Sequence, residues 1–347
     1  MSTVRRWLIN PCSLLAVFLA LGLLAGCRAE PSPTPRTRTG TPTPTPAKVR
    51  VALDWFPNAN HAGIFLTKEK GYFADEGLEV TLYTPNDPAT ILASVGAGQD
   101  DFGFEYQIGV LLARDKAVPV VSIAGVVQHP LNSVMALKTS GIQRPRDLVG
   151  KKVGYPGIAT DPPILDTMLK ADGARGVQDV ELVNVGYDLV PALISRQVDA
   201  IVGAYWTHES ISAGNLGYPV NIMRMEQWGV PDFYELVLVT SERKLKEQPQ
   251  VVERFVRALV RGYREAAMDP QKAIDILKQA APEIDERIDR PGIVLLVPLW
   301  TEGVPSFGWQ TSERWSRFAD WMKEHKLVGP SLDPSAAFTN RFVEAAQ

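Results

Sequence analysis

One feature of the sequence most constrains the fold of this chain. Over residues 49–203, short apolar segments alternate with segments that have the period of a helix. The strand-like segments are 49–53, 79–83, 101–104, 118–127, 151–154, 180–185 and 199–203, and the helix-like ones are 62–70, 87–97, 107–116, 161–171 and 190–195. Segment 118–127 is almost continuously apolar, which is typical of a strand buried on both faces of a parallel sheet. The alternation predicts an α/β fold with mainly parallel sheets.

The pattern becomes helical after residue 242. Segments 250–268, 270–281, 284–297 and 312–325 have a helical period, and we expect Pro291 to break or restart the third. Two strand-like segments, 133–138 and 235–240, each follow a completed α/β unit and could cross between lobes. We therefore predict two lobes, 48–135 plus 240–347 and 136–239, joined by two crossing strands. The carboxyl ends of the strands would line a ligand cleft between them, which a hinge motion could close.

The first residues are typical of an export signal. Arg5 and Arg6 precede an apolar run at 14–24, and Leu24-Ala25-Gly26-Cys27 looks like a bacterial lipobox. We expect residues 1–26 to be removed as a signal peptide and Cys27 to carry lipid; a plain signal peptide or an uncleaved anchor is the alternative. Residues 27–48 then comprise lipidated Cys27 and a Pro- and Thr-rich linker. The predicted location is the cell membrane, lipid-anchored on its extracytoplasmic side.

Composition excludes several other functions. The formal net charge of −3 argues against a broad nucleic-acid surface. The two cysteines, Cys12 and Cys27, both precede the body of the chain, and no two histidines have a metal-ligand spacing. No GxGxxG or GxxxxGK[ST] loop follows a strand, which disfavours a phosphate-rich nucleotide. We expect neither a metal nor a resident cofactor.

Aromatic and amide-bearing residues follow the predicted strands. Flat rings can stack on a planar ligand, and amides or carboxylates can form hydrogen bonds with its edges. The candidate ligand-binding residues are Trp55, Asn58, His61, Glu105, Tyr106, Gln128, Tyr155, Tyr187, Tyr205, Trp206 and Tyr234.

Each candidate also has a structural alternative. Asn58 could support the turn at Pro57, Glu105 could cap the next helix, and Tyr187 with its neighbour could begin a helix. Which of Tyr205 and Trp206 faces the cleft stays open, because successive strand side chains point to opposite faces.

Several longer segments carry a family resemblance. LDWFPNANHAG (53–63), GYFADEGLEVTLY (71–83), DFGFEYQ (101–107), VPVVSIAGVVQHP (118–130), GIQRPRDLVGKKVG (141–154) and LVNVGYDLVPAL (182–193) resemble the vitamin-precursor-binding branch of the bacterial solute-binding proteins, as do FADWM (318–322) and FTNRF (338–342). This branch includes ThiY-type proteins, which bind a formylated aminopyrimidine precursor of thiamine, and RibY-type proteins, which bind riboflavin. The resemblance implies the type II periplasmic-binding-protein fold and delivery of a ligand to an ABC-type permease. We also expect a monomer.

The choice of ligand rests on the resemblance as a whole. The Pro-Thr tether and the overall sequence are most similar to the RibY type, which implies riboflavin; the thiamine pyrimidine precursor is the alternative. Gly154-Tyr155-Pro156-Gly157 stands where many pyrimidine-binding relatives have a Trp-containing loop. A second alternative is an enzyme like the yeast-type pyrimidine synthase, which uses pyridoxal phosphate. The export signal and the absence of cysteine from the body argue against it, so we expect no enzyme.

Overall fold

The computed structural model describes residues 45–158, 160–186 and 188–346. The expected signal peptide, the lipidation residue Cys27 and most of the linker lie outside the described residues, and so does Tyr187. The linker ends earlier than predicted, because Ala47 and Lys48 already belong to the first strand.

The described strands form two five-stranded sheets. In chain order they are β1 (Ala47–Ala52), β2 (Leu78–Tyr83), β3 (Phe102–Glu105), β4 (Val120–Val127), β5 (Asn132–Leu137), β6 (Lys152–Tyr155), β7 (Glu181–Asn184), β8 (Ala200–Tyr205), β9 (Val220–Arg224) and β10 (Leu236–Ser241). The spatial order is β2-β1-β3-β10-β4 in the first sheet and β7-β6-β8-β5-β9 in the second.

The helices lie between and after these strands. They are α1 (Ala62–Glu69), α2 (Tyr72–Asp75), α3 (Ile91–Ala97), α4 (Gln107–Asp115), α5 (Asp161–Ala171), α6 (Leu189–Ile194), α7 (Glu209–Asn215), α8 (Glu242–Glu247), α9 (Pro249–Met268), α10 (Pro270–Ala280), α11 (Glu286–Leu299), α12 (Ser312–Glu324) and α13 (Arg341–Glu344). The predicted α/β class is confirmed. Throughout the part of the chain that the structure describes, the helices are too short or too polar to span a lipid bilayer.

One strand in each sheet runs against its neighbours. β1 pairs in parallel with β2 and β3, but β10 is antiparallel to β3 and β4. In the second sheet β6 pairs in parallel with β7 and β8, but β5 is antiparallel to β8 and β9. The sheets are therefore mixed rather than mainly parallel. Among the described strands β4 pairs with β10, and it also forms isolated bridges to Phe338 and Gly308. All of its residues are buried, which explains its apolar sequence.

The chain passes between the sheets outside these two reversed strands. Segments 133–138 and 235–240 were expected to cross between lobes, but β5 lies wholly in the second sheet and β10 wholly in the first. The connections are residues 128–131 and 225–235, which precede them. A strand with a neighbour on each side has its backbone hydrogen bonds satisfied within its own sheet. The chain therefore passes from one sheet to the other in the irregular segments between strands. The lobe boundaries given above stay predictions.

The helix α9 packs tightly on α1 beneath the first sheet. The Tyr263 ring lies over Gly63, where a Cβ atom would come within 2.4 Å of the ring carbons. Gly63 therefore allows a close approach that no larger residue fits. The Tyr263 hydroxyl donates to the Asn60 carbonyl at 2.9 Å, so this contact also holds the loop that follows β1.

Pro291 does not break α11, contrary to the sequence prediction. The helix continues from Glu286 to Leu299 with Pro291 inside it. A proline has no N–H to donate, so the carbonyl four residues earlier, that of Arg287, loses its helical partner. The Asn215 side chain at the end of α7 donates to this carbonyl at 3.1 Å. A side chain from α7, which follows β8 of the second sheet, thus replaces the missing helical bond.

Candidate functional site

Four carboxyl groups are buried where the carboxyl ends of the two sheets meet. Asp54 follows β1, Glu105 ends β3 and Glu235 precedes β10, so all three belong to the first sheet. Asp161 begins α5, after β6 of the second sheet. Their exposed fractions are 6%, 9%, 2% and 3% for Asp54, Glu105, Glu235 and Asp161. Such burial is rare for carboxylates, and it marks this edge as the candidate site.

Asp54 is held by two side chains. The Nε2 atom of His61 lies 2.8 Å from its Oδ1, and the Tyr106 hydroxyl donates to its Oδ2 at 2.9 Å. The backbone N–H of Asn58 points at the other ring nitrogen of His61, at 3.3 Å. With Nδ1 accepting there, Nε2 is the nitrogen that can donate to Asp54. His61 is fully buried and uses both nitrogens within the protein, so it orients Asp54.

Glu105 sits beside Asp54 at the end of β3. Its Oε1 accepts the Tyr106 backbone N–H at 2.9 Å. Its carboxyl group also lies against Gly109 in α4, where a Cβ atom would fall 2.6 Å from Oε1. Burial, together with the neighbouring charge of Asp54, raises the pKa of Glu105 from 4.5 to about 8 despite that one bond. Glu105 is therefore mainly a neutral carboxylic acid at pH 7.

Glu235 joins the two sheets. Its Oε2 accepts the backbone N–H groups of Leu131 and Asn132, at 2.6 and 3.1 Å. Its Oε1 accepts the Tyr205 hydroxyl, from the end of β8, at 2.9 Å. Burial raises the pKa of Glu235 to about 7, although these donors oppose the rise. The Tyr205 contact places an aromatic ring of the second sheet in the cluster. Which of Tyr205 and Trp206 faces a ligand stays a prediction.

Asp161 differs from the other three carboxyl groups. Its Oδ2 is buried and has no hydrogen-bond partner among the described residues. Burial, and to a smaller extent the charge of Glu235, raise the pKa of Asp161 to about 7. The amide oxygen of Asn132 is likewise buried and without a partner in the described part of the chain. Asn132 stands opposite Tyr205 in the pairing of β5 with β8.

The cluster is acidic and has no strong counter-charge. Among the ion pairs of the described residues, His61 is the basic partner of Asp54, and none joins a lysine or arginine to any of these four carboxyl groups. Groups of three or more His, Cys, Asp or Glu side chains arranged to hold a metal ion are also absent from the described ranges. A neutral carboxylic acid both donates and accepts, and a carboxylate only accepts. The arrangement therefore suits an uncharged or cationic ligand that is rich in N–H donors.

Two partly exposed aromatic side chains stand at or just after the ends of strands β1 and β6. Trp55 directly follows Asp54 and is partly exposed, with its ring edge-on to Phe56 at 5.9 Å between centroids. Tyr155 ends β6 and is also partly exposed. Partly exposed rings at the ends of strands can stack on a flat ligand.

The sequence comparisons cover nearly the whole chain. The profile of the family described as "NMT1/THI5 like" matches residues 58–273. The formylaminopyrimidine-binding protein of Halalkalibacterium halodurans is 33% identical over 331 residues, which is 94% of this chain and 98% of that protein. The chain belongs to the NMT1/THI5-like family.

Other similar proteins are named as enzymes. The 4-amino-5-hydroxymethyl-2-methylpyrimidine phosphate synthase of Legionella pneumophila is 26% identical over 299 residues, covering 85% of this chain and 92% of that enzyme. Among solved structures, the periplasmic aliphatic sulphonate binding protein SsuA of Escherichia coli superposes with a TM-score of 0.66 at 15% identity, over 84% of this chain and 92% of that one. The likeness confirms the predicted periplasmic-binding-protein fold with two lobes.

The structure brings together only some of the candidate residues. His61, Glu105, Tyr106 and Tyr205 lie in the carboxyl cluster, as shown above. Asn58 instead caps the turn after β1, because its Oδ1 accepts the Asn60 backbone N–H at 2.9 Å.

Three further candidates have their polar atoms bonded elsewhere. Gln128 is fully buried and donates to the carbonyls of Gly125 and Trp309, at 3.3 and 3.2 Å. The Tyr234 ring is buried in the core, and its hydroxyl accepts the Thr311 N–H at 2.6 Å. Trp206 donates its indole N–H to the Pro130 carbonyl at 3.1 Å, in the connection between the sheets.

Sequence reasoning missed Asp54, Asp161, Glu235 and Asn132 as site residues of this NMT1/THI5-like chain. Asn132 and Asp161 are the first residues of β5 and α5, Glu235 directly precedes β10, and Asp54 lies two residues after the end of β1. That position was a usable signal, because polar residues at the carboxyl edge of a sheet face the ligand crevice. Glu235 was harder to predict because β10 is antiparallel to β3. The start of β10, rather than its end, therefore lies at the edge of the sheet where β3 ends.

Proposed function

We propose that this protein is an extracytoplasmic substrate-binding protein of an ABC-type importer and that it captures an aminopyrimidine of the formylaminopyrimidine class. The observation that carries the proposal is the match, end to end, to a formylaminopyrimidine-binding protein. Alignment over 98% of that relative leaves little room for a different domain organisation. The function is binding and release, with no bond broken.

The chemistry of the site supports this ligand. An aminopyrimidine has a ring nitrogen that accepts next to an amino group that donates. A neutral carboxylic acid matches that edge with two hydrogen bonds, and Glu105 is neutral at pH 7 because burial raises its pKa to about 8. Carboxylates such as Asp54 accept further N–H groups. The rings of Trp55 and Tyr155 would stack on the pyrimidine faces.

Riboflavin, which the sequence favoured, has less support. The named relative binds formylaminopyrimidine, and none of the relatives or solved structures described above is named for a flavin. The pyrimidine precursor, the alternative that the sequence left open, therefore becomes the main proposal and riboflavin the second ligand to test.

The competing proposal is a pyrimidine synthase like the Legionella relative. That relative is less similar, at 26% identity, than the binding protein, at 33%. The two proposals differ in their response to pyridoxal phosphate, since an enzyme of that type holds the cofactor on a lysine. An absorbance band from a lysine adduct, formed when pyridoxal phosphate is added to the purified protein, would favour the enzyme.

We further propose that Cys27 carries the lipid anchor and that a membrane permease is the partner of the monomer. The lipobox-like segment and the tether support this placement. A Cys27→Ser variant would then move from the membrane fraction to the soluble extracytoplasmic fraction. An unchanged distribution would contradict lipid anchoring.

Calorimetric titration of the purified protein tests the ligand. Formylaminopyrimidine is expected to bind saturably, and a concentration 100 times its Kd should add about 2.7 kcal/mol to the free energy of unfolding. Asp54→Asn should weaken binding, whereas Glu79→Gln, at an exposed position of β2, serves as the control. Riboflavin is titrated in parallel by flavin fluorescence. Quenching by riboflavin without any heat from the pyrimidine would reverse the order of the two ligands.

A further inference from the structure

Asp161 is a buried carboxyl group that the protein itself leaves incompletely bonded. It is 3% exposed, and its Oδ2 has no partner among the described residues. Leaving a buried polar atom unbonded is costly, and native proteins do so rarely. The other three carboxyl groups of the site each accept at least one hydrogen bond from the protein. An unbonded oxygen in the same cluster therefore calls for an explanation.

The position of Asp161 points its carboxyl group at the end of β8. A Cβ atom on Gly203 would lie 3.5 Å from Asp161 Oδ2, so the carboxyl group rests against that glycine. Gly203 has a φ of 91°, in the left-handed region, which a residue with a side chain rarely adopts. Two residues further along, Tyr205 donates to Glu235. Asp161 thus lies beside the strand that carries the aromatic ring of the cluster.

A second unbonded acceptor supports the same conclusion. The Asn132 amide oxygen is also buried without a partner in the described part of the chain, and Asn132 pairs with Tyr205 across β5 and β8. Asp161 and Asn132 therefore flank the end of one strand, with free acceptors of hydrogen bonds on both sides. A donor that satisfies either of them comes from outside the described protein atoms, and an amino group that gives one N–H to Glu105 has a second N–H left to give.

We propose that Asp161 contacts the ligand directly and is the residue of the second lobe that accepts a hydrogen bond from its exocyclic amino group. The inference rests on the proposed function, since it assumes an aminopyrimidine in the site. It adds a specificity residue: Asp161 would distinguish the amino compound from an analogue without the amino group. A site built to bond a donor discriminates strongly against a ligand that lacks it.

Binding at Asp161 should also release a proton. Glu235 is the titratable group whose charge acts on Asp161, and the backbone of β8 lies against its carboxyl group at Gly203. With a pKa of about 7, Asp161 is about half protonated at pH 7 in the free protein. A donating amino group favours the ionised carboxylate and lowers that pKa. Up to about half a proton per ligand should therefore leave Asp161 at pH 7.

The experiment compares the full chain with two variants of α5. Formylaminopyrimidine and its analogue lacking the amino group are titrated calorimetrically at pH 7, in buffers of different ionisation enthalpy. For Asp161→Asn we expect affinity for the amino compound to fall about tenfold or more, the preference over the analogue to shrink, and the released proton to disappear. The unliganded variant should unfold at an equal or higher temperature, because a buried, poorly bonded acid has been removed.

Asp166→Asn is the matched control. Asp166 lies in the same helix, but its Oδ1 accepts the Val177 N–H at 2.9 Å and its Oδ2 pairs with Lys170 at 2.7 Å. Its loss should lower stability and leave affinity and proton release unchanged.

The outcomes separate the two proposals. If the wild-type protein gives no heat of binding with formylaminopyrimidine, the proposed function fails. If it binds, but Asp161→Asn binds equally well and releases the same proton, the inference about Asp161 is overturned. A destabilised Asp161→Asn variant with normal affinity would also overturn it, since Asp161 would then be structural. Melting curves of each variant identify any that fail to fold, and Asp161→Ser is then the replacement.

Discussion

Glu105→Gln should make the free energy of unfolding of the protein much less sensitive to a rise in pH. The carboxyl group of Glu105 has a pKa of about 8 in the folded protein, against 4.5 for the exposed group, chiefly because it is buried. Between these values the folded state holds a proton that the unfolded state has lost. Rising pH therefore favours unfolding, and the titration of Glu105 lowers the free energy of unfolding throughout the range between these two pKa values. Gln removes the titration and keeps the size and shape of the side chain.

The magnitude follows from the width of the shift. Each pH unit inside the window changes the free energy of unfolding by about 1.4 kcal/mol for one proton. From pH 5 to pH 7.5 the wild-type protein should therefore lose about 3 kcal/mol more than Glu105→Gln does. Asp161 and Glu235 also have raised pKa values, of about 7, but they titrate in both proteins and largely cancel in the difference.

Urea unfolding at pH 5 and pH 7.5, without ligand, measures this difference. The control is Glu79→Gln, which changes an exposed glutamate of β2 and should track the wild-type protein at both pH values. The loss of stability between pH 5 and pH 7.5 is compared between the wild-type protein and Glu105→Gln. If the two losses differ by less than about 0.5 kcal/mol, the raised pKa of Glu105 is refuted, because Glu105 would then titrate like a solvated group. An increase of wild-type stability relative to the variant as pH rises would refute it more strongly, since the sign would be reversed.

Three further predictions concern the packing of α1 on α9, the hydrogen bond between α7 and α11, and stacking on the ligand. Gly63→Ala should lower the free energy of unfolding by about 2 kcal/mol or more, because its Cβ would lie 2.4 Å from the Tyr263 ring; unchanged urea midpoints would contradict this packing. Asn215→Ala should cost about 1 kcal/mol, because the Arg287 carbonyl in α11 loses its donor, and a neutral result in the same assay would show that water replaces it. Trp55→Ala should weaken pyrimidine binding about tenfold by calorimetry with the melting temperature nearly kept, and full affinity would exclude a stacking role.

Local features of the sequence predicted the individual elements well. The helix over 161–171 has the bounds expected, and the helix expected at 62–70 begins at Ala62 and ends at Glu69, before Gly71. Gly71 has a φ of 76°, which suits a residue that ends a helix. Period, caps and glycine positions act over a few residues, so they are visible in the chain itself.

The pairing of segments that are distant in the sequence could not be predicted as well. The antiparallel direction of β10 and β5 depends on which neighbours each strand meets in its sheet, and nothing within either segment records it. The continuity of α11 through Pro291 likewise depends on Asn215, which lies 72 residues from the carbonyl it satisfies. Such contacts follow from the order of strands in space rather than from local preference.

The sequence by itself determined the α/β class, the position of most elements, the aromatic and polar character of the strand ends and the resemblance to binding proteins. Only the tertiary structure decided which polar groups share the site. Asp54 meets Tyr106 from 52 positions away, and Tyr205 meets Glu235 from 30 away. Burial of a carboxyl group, and therefore its pKa, depends on everything packed around it. A sequence shows that a residue is acidic, whereas the fold determines whether water can reach it.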